Sequence, residues 1–200
     1  MRLKLLLCFF ILIFCSSDVL AWSMTPELRK EINEKEAALR KNPDSAFTRF
    51  DLAVTYSYSN KILEAWDTLK KIPELDPTFK EKGLAFYVDK VRKDPGDWKM
   101  RFRLAFALYF NGRKEEAIQQ FKYVLVSDPN NVWAYGYISL AYGEMNNIDE
   151  GIKWAQKGIK VDKLVAALHL LLSQGYYRKG DNGKGFLEAA ETIRLKALGY

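Results

Sequence analysis

Apolar residues recur at intervals of three and four along most of the chain, which is the spacing of amphipathic α-helices. Residues 98–131 show this pattern twice, first with Phe102, Leu104, Ala105, Leu108 and Tyr109, then with Ala117, Ile118, Phe121, Val124 and Leu125. Asn111-Gly112 separates the two runs, and glycine suits the left-handed residue that follows a helix. Asp128-Pro129 ends the second run, since proline disfavours helix in the residue before it. The pattern predicts a pair of antiparallel helices.

The pattern repeats along the chain. Residues 40–66 match residues 92–118 at nine of 27 positions, and we call the offset between them the segment shift. A second, shorter interval separates position 98 from position 132 and position 132 from position 166, and we call it the repeat interval. Two prolines fix where each unit begins and ends, and we call this division the frame. They are equivalent because Ala65 stands as far before Pro77 as Ala117 stands before Pro129.

This frame divides the chain into units. It predicts helix pairs at 46–79, 98–131 and 132–165 and a degenerate pair at 166–200. We expect residues 22–45 to form an N-terminal capping helix and residues 80–97 to form an extra helix between the first two pairs.

Two kinds of position recur in these units. Asn60, Gly112, Asn146 and Gly180 fall between the two helices of each unit, where a positive φ is expected. Small residues recur in each second helix, where we expect two helices to cross closely. These small residues are Ala65, Ala117, Gly151 and Gly185.

Residues 1–21 differ from the rest of the chain. Arg2 and Lys4 precede an unbroken apolar run from Leu5 to Cys15, and Val19-Leu20-Ala21 precedes Trp22. This arrangement predicts a cleaved secretory signal and therefore an exported, periplasmic or secreted protein. An uncleaved membrane anchor, or a lipid attached at Cys15, remains an alternative. Cys8 and Cys15 are the only cysteines, so a mature chain has no disulfide and no thiolate ligand.

The repeats resemble the tetratricopeptide repeat (TPR) family. The resemblance rests on Leu104-Ala105, Leu108, Gly112, Ala117, Phe121, Val124 and Pro129 in one unit, and on Leu52-Ala53, Tyr56, Ala65, Leu69, Ile72 and Pro77 in another. Units 132–165 and 166–200 carry it through Tyr142, Gly151, Ala155, Gly158, Tyr176, Gly180, Gly185 and Ala189. It implies an all-α solenoid of stacked helix-turn-helix pairs that wind into a right-handed superhelix. It also implies a concave groove, lined by the first helices, that receives a peptide or protein.

Large aromatic residues concentrate on the first helices. The predicted groove surface consists of Phe47, Phe50, Tyr58, Lys99, Phe102, Phe106, Tyr109, Phe110 and Trp133. An exposed aromatic cluster of this size indicates a binding surface. The alternative is that the extra helix in 80–97 folds over these residues and buries them.

Other candidate chemistry has a plainer explanation. His169 is the only histidine and is predicted to be a packed structural residue, with no second histidine to share a metal. The glycine-rich stretch 180–185 lacks the strand and the hydroxyl residue of a phosphate loop and is read as a helix–helix turn. The basic residues between Lys90 and Arg103 alternate with aspartates, so they predict a solvated surface. We therefore expect no catalytic residue, no cofactor and no metal.

These observations favour a non-catalytic scaffold that binds a protein or peptide in the cell envelope. A self-assembling accessory subunit of an envelope complex is the alternative, through a C-terminal helix that exposes Leu195 and Leu198, and an enzyme is the third. The excess of 31 basic over 25 acidic residues is modest, so no nucleic-acid partner is expected. Contact with a membrane is expected only through an uncleaved or lipidated N-terminus.

Overall fold

A computed structural model describes residues 24–200 of the chain, so the predicted signal segment lies outside the described residues. The described residues form eleven α-helices and no strand. The helices are α1 (Pro26–Lys41), α2 (Ala46–Ser57), α3 (Ile62–Leu69), α4 (Ile72–Leu75), α5 (Phe79–Lys93), α6 (Trp98–Phe110), α7 (Lys114–Ser127), α8 (Val132–Glu144), α9 (Ile148–Val161), α10 (Ala166–Arg178) and α11 (Asn182–Ala197). None of these helices has both the length and the apolar character that a membrane span requires.

The turns between paired helices have the predicted backbone. Asn60 and Asn146 have φ angles of 59° and 61°, and Gly112 and Gly180 have 76° and 79°. Only glycine, and to a lesser degree asparagine, adopts this left-handed conformation at low cost. The prediction of an inter-helix residue with positive φ in each unit is confirmed. In the stretch 180–185, Gly180 and Asp181 lie in the helix–helix turn, Asp181 caps α11, and residues 182–185 form the first turn of that helix.

The repeat interval also appears in the side-chain contacts. Arg101 donates to the carbonyl oxygen of Pro95 at 2.8 Å, and Tyr135 donates to that of Pro129 at 3.2 Å. His169 lies one repeat interval beyond Tyr135, and its Nε2 lies 3.0 Å from the carbonyl oxygen of Lys163. His169 therefore makes the same contact as its two counterparts, each with the carbonyl group six positions before it. The prediction that this buried histidine is a packed structural residue is confirmed.

Small residues occupy the helix crossings. The hydroxyl of Ser139 on α8 donates to the carbonyl oxygen of Gly151 on α9 at 2.7 Å, and Ser173 donates to Gly185 at 2.8 Å, one repeat interval later. A Cβ atom at Gly151 would lie 3.2 Å from the carbonyl oxygen of Ser139. The backbones of the two helices thus approach too closely for a larger residue, as the pattern predicted.

From α6 onward the helices pack as three successive pairs, α6–α7, α8–α9 and α10–α11. Neighbouring first helices run parallel, since Gly136 on α8 faces Leu168 on α10, and Arg178 at the end of α10 donates to the carbonyl oxygen of Gly143 at the end of α8. This is the arrangement that a TPR solenoid requires, and the predicted all-α solenoid class is confirmed.

The first unit departs from this order. Phe50 near the start of α2 lies 6.5 Å from Phe110 at the end of α6, and Tyr58 after α2 lies 5.4 Å from Phe102 near the start of α6. The two helices therefore run antiparallel, whereas successive first helices of a solenoid run parallel. Phe50 and Phe102 are equivalent under the segment shift, and so are Tyr58 and Phe110, so the shift exchanges the two contacts. The matching segments are related by a local pseudo-two-fold axis.

This reversal turns α2 and α3 towards the later first helices. Tyr137 on α8 donates from its hydroxyl to the carbonyl oxygen of Ser57 at the end of α2, 3.1 Å away. Ile62 and Trp66 on α3 share a small cavity with Tyr137 and with Leu171 on α10. The N-terminal helices thus lie across the inner face formed by α6, α8 and α10.

Candidate functional site

Arg103 forms the centre of a buried charge network between α1, α2 and α6. It is 1% exposed, and its Nε donates to the carboxylate of Asp51 on α2. Its other nitrogens reach the carbonyl oxygen of Lys99 at 3.0 Å, the hydroxyl of Thr55 at 3.2 Å and the carboxylate of Glu31 on α1 at 3.2 Å. The guanidinium is therefore paired on each side, which a buried charge requires.

Two lysines complete the network around the two carboxylates. Lys35 on α1 pairs with Asp51, and Lys99 on α6 pairs with Glu31. The hydroxyl of Tyr58 also donates to Glu31 at 2.8 Å. Helix α1 is thereby joined to both α2 and α6, although the sequence predicted it only as a polar cap.

The network keeps both carboxylates ionised. Burial alone would raise the pKa of Glu31, but the hydrogen bonds from Lys99 and Tyr58 and the charge of Arg103 outweigh it and lower the pKa to about 2. Burial likewise opposes ionisation of Asp51, and the charges of Arg103 and Lys35 lower its pKa nonetheless. Hydrogen bonds to the charged form and opposite charges both favour the carboxylate.

An open cleft of about 660 Å³ borders this network. Helices α1, α2, α5 and α6 form its walls, and its lining residues are Glu34, Lys35, Ala38, Phe47, Thr48, Asp51, Phe86, Tyr87, Lys90 and Met100. The ring of Phe86 lies 5.1 Å from that of Phe47, and the ammonium of Lys90 lies 5.1 Å from the Phe86 ring. Phe86 is exposed, so the cleft combines an accessible aromatic wall with a cation at its rim.

Five of the nine residues of the predicted groove surface are buried, so their predicted exposure is wrong. These are Phe50, Tyr58, Phe102, Phe106 and Trp133. The reason is that α2 and α3 lie across the inner face, so that Phe102 packs against Tyr58, and Trp133 shares a cavity with Trp66. The alternative, that the extra helix in 80–97 covers these aromatic residues, holds for Phe50, because the ring of Tyr87 on α5 lies 5.3 Å from the ring of Phe50. The remainder of α5 packs beside α6.

The other four predicted residues are partly exposed and do not form one surface. Phe47 lines the cleft. Lys99 pairs with Glu31, Tyr109 donates its hydroxyl to Glu144, and Phe110 lies under the ammonium of Lys80 at 5.3 Å. The structure thus brings only Phe47 to an open site.

Arg103 was missed because it was read as part of a solvated basic stretch. Its immediate neighbours, Phe102 and Leu104, are both apolar, and a charge in the middle of an apolar helix is the available signal of a buried pair. Among residues 24–200 no cluster of three or more potential metal ligands is found.

Comparison with known proteins bears on the fold. No protein-family model matches the chain, and no curated protein does. Among solved structures, "MamA MSR-1 C2" matches at 11% identity with a TM-score of 0.57, over 86% of this chain and 97% of that one. MamA 41-end from Desulfovibrio magneticus RS-1 matches at 15% identity with a TM-score of 0.50, over 88% and 98%. The chain described here has the TPR fold.

In TPR terms, α6–α11 supply three helix pairs at the regular interval, and α1–α4 form an N-terminal part that folds back on them. At such low identities the likeness is one of fold. The binding properties of this chain must therefore be argued from its own cleft and surfaces.

Proposed function

We propose that the protein is a non-catalytic interaction scaffold that binds a protein or peptide segment in the cleft between α1, α2, α5 and α6. The observation that carries this proposal is the aromatic wall formed by the exposed Phe86 and the partly exposed Phe47, on a cleft large enough for several side chains. Apolar, largely preformed clefts with a few polar groups are the usual form of a binding site. The TPR fold of the chain supports a scaffold role.

The cleft favours a ligand of defined chemistry. Phe47, Phe86 and Met100 offer an apolar surface to one or two large side chains of the ligand. Lys90 at the rim offers a cation to a neighbouring carboxylate, while Lys35 and Asp51 at the base neutralise each other. The carboxylate of Glu34 also lines the cleft and is offset by Lys30, 3.9 Å away. We therefore propose a segment with an apolar residue next to an acidic one. Binding at the inner face itself requires α2 and α3 to be displaced.

Selection of displayed random peptides on the chain from residue 22 tests this proposal. We expect enriched peptides to pair an apolar residue with Asp or Glu, and Phe86→Ser to weaken their binding by tenfold or more, because about 1.4 kcal/mol of contact is lost. Lys90→Glu should select against acidic peptides. Val126→Ser is the matched control, since Val126 is an exposed apolar residue on α7 away from the cleft. Peptides that bind the Phe86→Ser variant as well as the wild type would refute the cleft as the site.

Export remains a separate proposal, and it rests on the pattern of residues 1–21. Full-length chain and a chain lacking residues 1–21 should be expressed in a bacterial host and fractionated. We expect only the full-length chain to reach the periplasm, shortened by about the mass of the signal segment. Retention of the full-length chain in the cytoplasm would exclude export.

A further inference from the structure

The outward face of α11 carries an apolar stripe. Phe186 is 66% exposed and Ile193 is 70% exposed, and Ala190 and Ala197 lie between and beyond them, at steps of four, three and four along the helix. This spacing places the four side chains in one line along a helix of 16 residues, about 24 Å long. Leu187 and Leu198 flank the line and are also exposed. Leu195, which was expected to be exposed, is instead buried against the array.

The equivalent positions of the other second helices are covered. Ile152 on α9 lies one repeat interval before Phe186, and Ile118 on α7 lies two intervals before it. They are 9% and 2% exposed, and in both cases the first helix of the following pair packs on that side of the helix. Within residues 24–200 no helix covers this side of α11. The apolar residues Phe186 and Ile193 therefore stand at positions that another helix covers in the earlier pairs.

The stripe also departs from the repeat in a second way. Leu187 stands where the other second helices have Gln119 and Lys153, and these two residues are exposed. Ala190 stands where they have Lys122 and Gln156. Helix α11 has therefore lost polar residues at two positions that stay polar in the earlier pairs, which a helix that remains in water has no reason to do.

The order of large and small residues indicates the partner. Phe186, Ala190, Ile193 and Ala197 alternate large and small, so a second α11 laid antiparallel places Phe186 opposite Ala197 and Ala190 opposite Ile193. Each of these two contacts, Phe186 with Ala197 and Ala190 with Ile193, occurs twice under a two-fold axis. Each contact pairs a large side chain with a small one. A two-fold interface must be self-complementary in this way, and knobs-into-holes packing favours such contacts. We propose that α11 is the interface of a homodimer, with its partner helix antiparallel.

Sedimentation equilibrium over a concentration series tests the proposal with the chain from residue 22. We expect the wild type to associate to a dimer, and Ile193→Glu to weaken association by at least about tenfold, since each copy then places a carboxylate in the seam. The double variant Ala190→Lys, Ile193→Glu should associate again, because each new lysine faces the new glutamate of the other copy. Val126→Glu on α7 is the matched control and should leave the association unchanged.

Each other outcome contradicts the proposal. A monomeric wild type at every concentration excludes the dimer. Association that survives Ile193→Glu places the interface elsewhere, and loss without recovery in the double variant contradicts the antiparallel register. Ile193 is exposed, so an unchanged helical circular dichroism spectrum should accompany each result.

Discussion

Asp51 on α2 and Arg103 on α6 occupy equivalent positions of the two matching segments, and their side chains pair with each other. In a translational repeat, residues at equivalent positions lie one unit apart and point the same way, whereas about a two-fold axis equivalent residues face each other. Asp51 and Arg103 touch here because α2 and α6 meet antiparallel about the pseudo-two-fold axis. The ion pair lies close to this axis. Exact two-fold symmetry would place identical residues at these two positions, and here one is an aspartate and the other an arginine.

The network around this pair has a role in specificity. Buried charges cost solvation energy, and their mutual attraction only compensates for that cost when the pairing is complete. Any sliding of α2 along α6 would separate Arg103 from Asp51 and Thr55 and leave the buried guanidinium incompletely paired. The network therefore favours one register between the N-terminal helices and the solenoid.

Removal of the guanidinium should destabilise the fold strongly. Arg103→Leu leaves Asp51 and Glu31 without their central partner, and we expect a loss of about 3–5 kcal/mol in the free energy of unfolding. Arg92→Leu is the matched control, because Arg92 pairs with Asp89 at the surface, and little or no change is expected there. Urea unfolding monitored by circular dichroism measures both. Equal losses in the two variants would show that the buried network contributes no more than a surface pair.

The network should also make stability depend on pH. Glu31 has a pKa of about 2 in the folded chain against an ordinary value of 4.5, so its contribution is complete above about pH 4.5 and is lost as the pH falls towards 2. The lowered pKa of Asp51 acts in the same direction. Glu31→Gln cannot titrate at this position, so its stability should fall less between about pH 5 and pH 3 than that of the wild type. Parallel pH profiles for the two chains would contradict the assignment.

The crossing of α8 and α9 gives a third expectation. Gly151→Val places a side chain against the backbone of α8, which cannot yield, and we expect it to cost about 1–3 kcal/mol from overpacking. Gly183→Val introduces the same residue near the start of α11, where the nearest atom to a Cβ is 3.9 Å away, and it controls for the lower helix propensity of valine. Thermal unfolding of both variants makes the comparison. A smaller loss at Gly151 than at Gly183 would refute the close crossing.

The regular part of the fold could be predicted from the sequence because its determinants are local. Asn146 and Gly180 set the turns through their own backbone preferences, and Gly151 and Gly185 report helix crossings within one pair. These features depend on residues that lie within one repeat interval, so a repeat in the sequence is sufficient to reveal them.

The reversal of the first unit could not be predicted in this way, because it depends on contacts between distant helices. Residues 46–79 carry the same small and apolar positions as a stacked unit, and these positions do not specify whether α2 meets α6 parallel or antiparallel. One signal was present. Six of the seven residues from Phe102 to Leu108 are apolar, and a helix that is apolar on nearly every side is expected to be covered on nearly every side. In the structure all seven are buried. Such a helix does not line an open groove.

The candidate cleft was missed for a related reason. Phe86, Tyr87 and Met100 reach it from α5 and α6, and Glu34 and Lys35 reach it from α1. These residues are close together because of the pseudo-two-fold packing, and no regular spacing in the sequence indicates that they are. Phe47 is the one residue of the predicted groove surface that lines this cleft.

The most direct test of this account is a pair of distances measured by double electron–electron resonance between nitroxide labels. The chain from residue 22 has no native cysteine, so the labels can be attached to cysteines introduced at exposed positions. One pair joins Leu63 on α3 to Leu170 on α10, and the other joins Leu63 to Glu115, its equivalent on α7 under the segment shift. If α3 lies across the inner face, the distance to Leu170 is the shorter of the two. A shorter distance to Glu115 would show that the first unit stacks in line with the others, and would contradict the account.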